Sequence, residues 1–301
     1  MIRDIMGKVE TILVATDLSA PASWAETRAG MLAQAHGASI DLMHAVSSSA
    51  LNALRVSLVG KVTDPEKVMA SLRGEVDKAA DALEAAHGVS VRRHVFPGRP
   101  ADEILRLAGE CGSQLVVAGA HGTHLVHRLL FGSTTERLLY RSELPLLIVK
   151  RSPQDRYRRL LIGVDFSDFA LAAARFAAQL LPEAALTAFH AAESPFDGLM
   201  RFAGVADEEI ARHRADTLAQ AESQMAAFVG TAGLTGRATW RLDYGYPIRA
   251  LEEEVERASP DLLVLGKHGR SAVERWMVGS MTAHLARTAD CDVLVVAGVG
   301  A

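Results

Sequence analysis

Cysteine is nearly absent from this chain. Its 301 residues hold two, Cys111 and Cys291, too few for a disulfide framework and without the paired spacing of a metal-binding knuckle. Each reads as a buried, reduced thiol, one at the end of a helix and the other at the start of a strand. Aromatic residues make up 5%, and the arginine-rich stretch Arg151–Arg159 holds only Tyr157 among its cations. A solvated connector explains that stretch better than a surface on which bases stack. Neither sign of charge dominates: 32 Lys and Arg against 36 Asp and Glu leave a formal net charge of -4, with no general pull toward nucleic acid or anionic lipid. No uninterrupted apolar run approaches the ~18 residues of a spanning helix. Arg3, Asp4, Lys8 and Glu10 interrupt the first apolar residues, so the N-terminus lacks the apolar core of a secretory leader. The expectation is a soluble cytoplasmic protein that engages neither nucleic acid nor membrane. No G-x-x-x-x-G-K followed by Ser or Thr occurs, so there is no P-loop lysine.

What is present is a repeat. Gly119-Ala-His-Gly122 runs on through nine residues to Gly132-Ser133, and Gly266-Lys-His-Gly269 runs on through nine to Gly279-Ser280. Asp17-Leu-Ser19 has its echo in Asp165-Phe-Ser167, His44-Ala45 in His190-Ala191, and Gly98-Arg-Pro100 in Gly245-Tyr-Pro247. The offsets stay between 146 and 148 residues. So long a unit is a duplicated domain rather than a solenoid repeat. The expected division is residues 1–150, a linker at 151–158, and residues 159–301.

Each half alternates strand and helix. In the first, Glu10–Thr16 is a strand, Trp24–His36 a helix stopped by Gly37, and Ser39–Val46 a second strand. Ser47–Thr63 is irregular, and Asp64–His87 is a long charged helix. Val89–Phe96 is the third strand and Pro100–Cys111 a helix with proline in its first turn. Leu115–Ala118, the helix Ser133–Arg141 and the strand Leu146–Lys150 complete the order. The second half repeats it, with its long helix at Ala206–Ala232. Alternation of this kind implies parallel pairing through right-handed crossovers. Near-continuous apolar strands imply cover on both faces. The fold class is α/β: two tandem doubly wound domains, each a five-stranded parallel sheet with helices on both faces.

In such a sheet a ligand sits beyond the carboxyl ends of the strands, where the chain order reverses. Asp17 and Gly119 stand at two such ends, as do Asp165 and Gly266. If those strands are neighbours, carboxylate and glycine loop face one crevice. Glycines let the backbone turn sharply and lie close to a ligand. A Gly-Ser opening a helix offers amides and a hydroxyl to an anion, helped by the helix dipole. The pattern reads as a phosphate cradle used twice. Alternatives stand beside it. Asp17 could cap a helix. Ser133-Thr-Thr-Glu136 has the spacing of a capping box, which Ser280-Met-Thr-Ala283 lacks. Arg128 and Arg275 could reach a terminal phosphate or pin the arm. Lys267 and Arg270 add charge to the second cradle only, which predicts tighter phosphate holding there. His121, His124 and His127 suggest a metal, but the second half keeps only His268, and a loop histidine near phosphate or solvent is the better reading. No metal site is expected. His44 and His190 read as satisfied core histidines.

These residues resemble the universal stress protein family in its tandem two-domain form. The resemblance rests on Ala-Thr-Asp17-Leu-Ser, Val-Asp165-Phe-Ser and both glycine motifs, and it spans almost the whole chain. It implies strand order 3-2-1-4-5, a role in survival under stress, and membership of the subgroup that binds ATP, with Mg2+ as its companion. Carried over by residue, the implied ATP contacts are Asp17, Ala45, Gly119, Gly122, Gly132, Ser133 and Thr134 in the first domain. In the second they are Asp165, Ala191, Gly266, Lys267, Gly269, Gly279, Ser280 and Met281. Two positions depart from the repeat: Gln114 stands where the second half has Asp261, and Asp292 where the first has Pro145. Both lie at strand starts, away from the crevice. The chain lacks the Ser-Gly-Gly-x-Asp-Ser loop of related adenylating enzymes, and no general base accompanies the cradle. The expected role is therefore a nucleotide-responsive stress factor rather than an enzyme. A slow ATPase or phosphotransferase, and a scaffold with vestigial sites, are the alternatives. Tandem copies also imply that the halves pair through their final strands, Leu146–Lys150 and Val293–Ala297, with a homodimer as a further possibility.

Overall fold

The first strand, β1 (Thr11–Thr16), buries Ile12, Leu13 and Val14 completely. Successive strand residues point to opposite faces, so a run like this is stable only where both faces are covered. The computed structural model describes residues 8–47, 65–121, 131–193, 200, 202–269 and 278–298. After β1 come α1 (Ala20–His36), β2 (Ser39–Val46), α2 (Pro65–His87), β3 (Val91–Pro97), α3 (Pro100–Cys111), β4 (Leu115–Gly119), α4 (Ser133–Arg141) and β5 (Leu146–Val149). The second half gives β6 (Arg159–Gly163), α5 (Asp168–Leu180), β7 (Ala185–Ala192), α6 (Asp207–Thr231), β8 (Ala238–Tyr244), α7 (Pro247–Ala258), β9 (Leu262–Gly266), α8 (Ser280–Thr288) and β10 (Asp292–Val296). Contacts divide the chain into two compact units between Arg156 and Tyr157.

In the first unit the strand order is β3-β2-β1-β4-β5, and in the second β8-β7-β6-β9-β10. All pairs within each unit are parallel. This is the expected order, 3-2-1-4-5, twice. It sets Ile12 opposite Ile40 on one side and Leu115 on the other. In the second unit Leu160 stands between Leu186 and Leu262. The first strand of each unit is thus central, and the chain order reverses between it and the fourth.

Several element bounds fall where the residues place them, among them β2, α3 and α4. The expected start of α1 at Trp24 is corrected to Ala20. Ser19 is its N-cap, its hydroxyl accepting from the Ala22 amide at 3.2 Å, and Pro21 sits in the first turn, where its missing N–H costs nothing. The third strand begins at Val91 rather than Val89, its first amide held by Glu84 Oε1 at 3.0 Å. At the first departure from the repeat, the two different residues are equivalent devices. Gln114 Oε1 accepts from the amides of Glu10 and Thr11 at 2.9 and 2.8 Å. Asp261 Oδ2 accepts from those of Arg158 and Arg159 at 2.8 and 2.9 Å. Each holds the start of its unit's first strand. Asp292 is buried and accepts from the Tyr157 hydroxyl at 2.6 Å, so an inward carboxylate and a linker tyrosine arrive as a pair. Among the described residues, no helix is long and apolar enough to cross a membrane.

Candidate functional site

The strand pairings bring each aspartate beside its glycine loop. β1 pairs with β4 and β6 with β9, so Asp17 and Gly119, and likewise Asp165 and Gly266, lie at adjacent carboxyl ends. In the second unit a Cβ on Gly269 would stand 3.1 Å from Asp165 Oδ2. Neither aspartate is a helix N-cap. Asp17 Oδ1 accepts from the Ser19 amide at 3.1 Å, and Asp165 Oδ1 from the Ser167 amide at 3.0 Å and its hydroxyl at 2.6 Å. The serines are the caps. Between them, Leu18 and Phe166 both have positive φ, 62° and 61°. Bulky residues avoid this region. Holding one there in both units fixes how the aspartate leaves its strand, and the sequence gives no sign of it.

The glycine loops work differently from the expectation. Among the described cradle glycines none has positive φ, so the turn is not what requires them. Gly266 is needed for packing: a Cβ there would lie 2.8 Å from the Phe169 carbonyl carbon and 2.9 Å from the Ala170 nitrogen. The fourth strand therefore presses against the first turn of α5. Gly119 is similar but looser, 3.3 Å from the Pro21 carbonyl oxygen. The returning arms are closed by backbone, Gly132 N–H to Ala120 O and Gly279 N–H to Lys267 O, both at 2.9 Å. They are pinned by threonines: Thr135 Oγ1 donates to Gly119 O at 2.7 Å, and Thr282 Oγ1 to Gly266 O at 2.8 Å. These threonines were missed in the sequence, although their recurrence two residues after each serine was visible. The capping-box reading of Ser133 is corrected, because Gly132 is the N-cap and no side chain caps the helix. Ser133 and Ser280 are each the first residue of their helix, where first-turn amides lack intrahelical partners.

Lys267 and His268 are each 4% exposed. The Lys267 part of the second loop's extra charge is thus not displayed to solvent, and His268 packs its ring 4.7 Å from that of Phe169 rather than lying in the open. His44 and His190 are satisfied as expected, Nδ1 lying 2.8 Å from the Thr16 and Val164 carbonyls, but both are half-buried rather than in the core. Gly122, Arg128, Arg275, Arg270, His124 and His127 lie outside the described residues.

A cleft of about 310 Å³, counted out to its mouth, opens in the second unit between Asp165, His190, Ala191, Pro247 and Met281, with Val164, Phe189 and Leu251 below. The cavity proper holds only about 60 Å³, well below the range for sites that enclose a small molecule. Three of the expected contacts, Asp165, Ala191 and Met281, line it together. At the corresponding first-unit positions Thr16 replaces Val164 and Thr134 replaces Met281.

With this geometry established, comparison with known proteins is decisive. The model of the universal stress protein family matches residues 8–150 and again 156–297. The chain belongs to the universal stress protein family. It is 27% identical to a universal stress protein of Mycolicibacterium smegmatis, covering 95% of this chain and 96% of that protein. A universal stress protein of Bacillus subtilis is 31% identical over 46% of this chain and 97% of its own length. The crystal structure of a universal stress protein from Archaeoglobus fulgidus superposes with a TM-score of 0.68 at 19% identity, covering 96% of this chain and 99% of that one, which speaks for the fold. This is a tandem universal stress protein, a member of a stress-response family.

One further cluster was invisible in the sequence. Asp41 on β2, His94 on β3 and Cys111 at the end of α3 bring one donor atom each to within 4.8 Å of one another. Asp41 is fully buried and is gripped by Arg92 (Nε to Oδ1 at 2.8 Å, Nη2 to Oδ2 at 2.7 Å), with His94 Nε2 2.8 Å from Oδ1. Burial alone would raise its pKa, but the His94 and Arg92 hydrogen bonds outweigh that and hold the carboxyl at about 2. Burial and the neighbouring Asp41 charge push the Cys111 thiol up. The expected buried thiol at 111 is corrected to a half-buried one facing a carboxylate, while Cys291 is buried as expected.

Proposed function

We propose that this cytoplasmic universal stress protein binds ATP in one or both of its domains, 1–150 and 159–301 joined by the linker 151–158, and that occupancy alters its conformation or partners under stress. The observation that carries the reading is the pairing, twice over, of an aspartate at the end of the central strand with a helix start after the neighbouring strand. The carboxylates Asp17 and Asp165 are positioned to accept from the hydroxyls of a ribose, with Ala45 and Ala191 beside them. The first turns at Ser133-Thr134 and Ser280-Met281, with Gly132 and Gly279 before them, supply amides for phosphates, and Mg2+ would accompany the phosphates. The packing of Gly119 and Gly266 sets the distance between the two ends. Among the described residues neither unit pairs this arrangement with a base and nucleophile, so the reading is a binder rather than an enzyme. Pairing of the two domains and a homodimer of the chain belong to the same proposal, the latter tested by sedimentation with and without nucleotide.

The test is thermal. ATP at about 100 times its dissociation constant stabilises by roughly 2.7 kcal/mol and should raise the melting temperature. Gly122→Val with Gly269→Val should abolish that rise, since a side chain at 269 crowds Asp165. If the double variant responds as wild type does, the loops are not the site. Incubating excess protein with ATP separates binder from enzyme, because rapid multiple turnover contradicts the reading.

A further inference from the structure

The nitrogen and oxygen donors on the outer strands of the first unit and the sulfur at the end of α3 form a set of their own, away from the carboxyl-end crevice. We propose that Asp41, His94 and Cys111 bind one divalent transition-metal ion of the zinc class, through Oδ1, Nε2 and Sγ, with a fourth position left for water.

Four observations support this. The three donor atoms already lie within 4.8 Å of one another, whereas tetrahedral ligands at zinc distances stand roughly 3.5 Å apart. The donor types are those zinc prefers, a thiol, an imidazole and a carboxylate. Cys111 is the last residue of α3, where the helix dipole presents its negative end and favours a cation. The fold does not require the cluster: Thr187, Thr239, Arg241 and Ala258 occupy the matching positions of the second unit. There the two threonine hydroxyls lie 3.2 Å apart and no ligand set forms. Arg92 opposes a cation by charge. Its side chain is half exposed, so it can give up Oδ1 and keep Oδ2, orienting the carboxylate as outer partners of metal ligands do. Asp41 closes the inner side, while His94 and Cys111 are partly exposed and leave a path from solvent.

On binding, the Cys111 sulfur exchanges its proton for the metal and the proton passes to buffer, so affinity rises with pH. The experiment uses the full chain stripped with chelator and titrated with Co2+, then Zn2+. One Co2+ per chain with a thiolate-to-cobalt charge-transfer band, displaced by Zn2+, is expected. Cys111→Ser should lose the band and weaken Zn2+ binding at least tenfold, His94→Gln should weaken it similarly, and Cys291→Ser should leave both unchanged. In unaltered protein, Zn2+ should slow alkylation of Cys111, followed by mass spectrometry, at least tenfold, which keeps the test independent of how any variant folds. Absence of the band in wild type, Zn2+ binding by Cys111→Ser equal to wild type, or an unchanged alkylation rate overturns the proposal.

Discussion

The half ending at Arg156 and the half beginning at Tyr157 hold their crevices with the same bonds and fill the surrounding space with different chemistry. Both place Asp-x-Ser with a left-handed middle residue, a histidine on the preceding carbonyl, and a threonine pinning the first glycine of the loop. Away from these bonds they diverge. The first has a buried aspartate gripped by arginine and histidine on its outer strands. The second puts threonines there and buries an acid at Glu254 on α7 instead, beside Arg241 and Arg257. Duplicated domains keep what the backbone geometry needs and alter what only local packing needs.

The largest effect that would sharpen this comparison lies at the paired glycines. Gly266→Ala places a methyl against backbone atoms that cannot swing aside, and should cost about 3 kcal/mol. Gly119→Ala, with contacts only slightly tight, should cost about 1 kcal/mol. Urea unfolding of the two variants measures both; equal losses would mean that the units pack alike.

Next is the Asp41 carboxylate. Its folded pKa lies below its unfolded value, so the stability it adds is complete above the unfolded pKa and is lost as pH falls through about 2. Asp41→Asn should therefore cost on the order of 2 kcal/mol near neutrality, with the gap to wild type narrowing below about pH 4. Thr187→Val at the matching position should show no such acid dependence.

Backbone strain gives a smaller contrast. Leu18→Gly relieves a left-handed leucine and should stabilise by at most about 1 kcal/mol. Phe166→Gly gains the same relief but loses ring contacts with His190 at 4.3 Å and Phe228 at 6.2 Å, and should be net destabilising by thermal melting. Matching signs would break the comparison.

The smallest effect concerns Glu26, a buried acid of α1 whose counterpart is Ala174. Burial raises its pKa, the Thr16 hydrogen bond lowers it, and the Asp17 charge raises it further. An acid with a raised folded pKa loses stability as pH climbs above its unfolded value, since the unfolded chain ionises first. Glu26→Gln should raise the melting temperature at pH 7, with no gain below about pH 4. A gain that persists in acid would place its origin elsewhere.

Much of the fold was legible because its signals are local. Proline in the first turns of α3 and α7, glycine after α1, and apolar runs in β4 and β9 report on a few neighbouring residues each. The site was legible in outline, since aspartates and glycine loops recur at a fixed offset. Its working parts were harder to see. That Ser19 rather than Asp17 caps α1, and that Gly266 serves packing against α5, depends on how close two elements come. Thr135 and Thr282 were in plain view but had no meaning until Gly119 and Gly266 supplied the carbonyls they bind.

By itself the sequence determined the duplication, the alternation of strand and helix, and which carboxylate belongs with which glycine loop, because periodicity and repeat spacing are properties of the chain. Only the tertiary structure decided that Lys267 and His268 turn inward, that Leu18 and Phe166 are held left-handed, and that Asp41, His94 and Cys111 meet. Residues 41, 94 and 111 sit on three elements, and nothing short of parallel register and helix packing can bring such distant positions to one point.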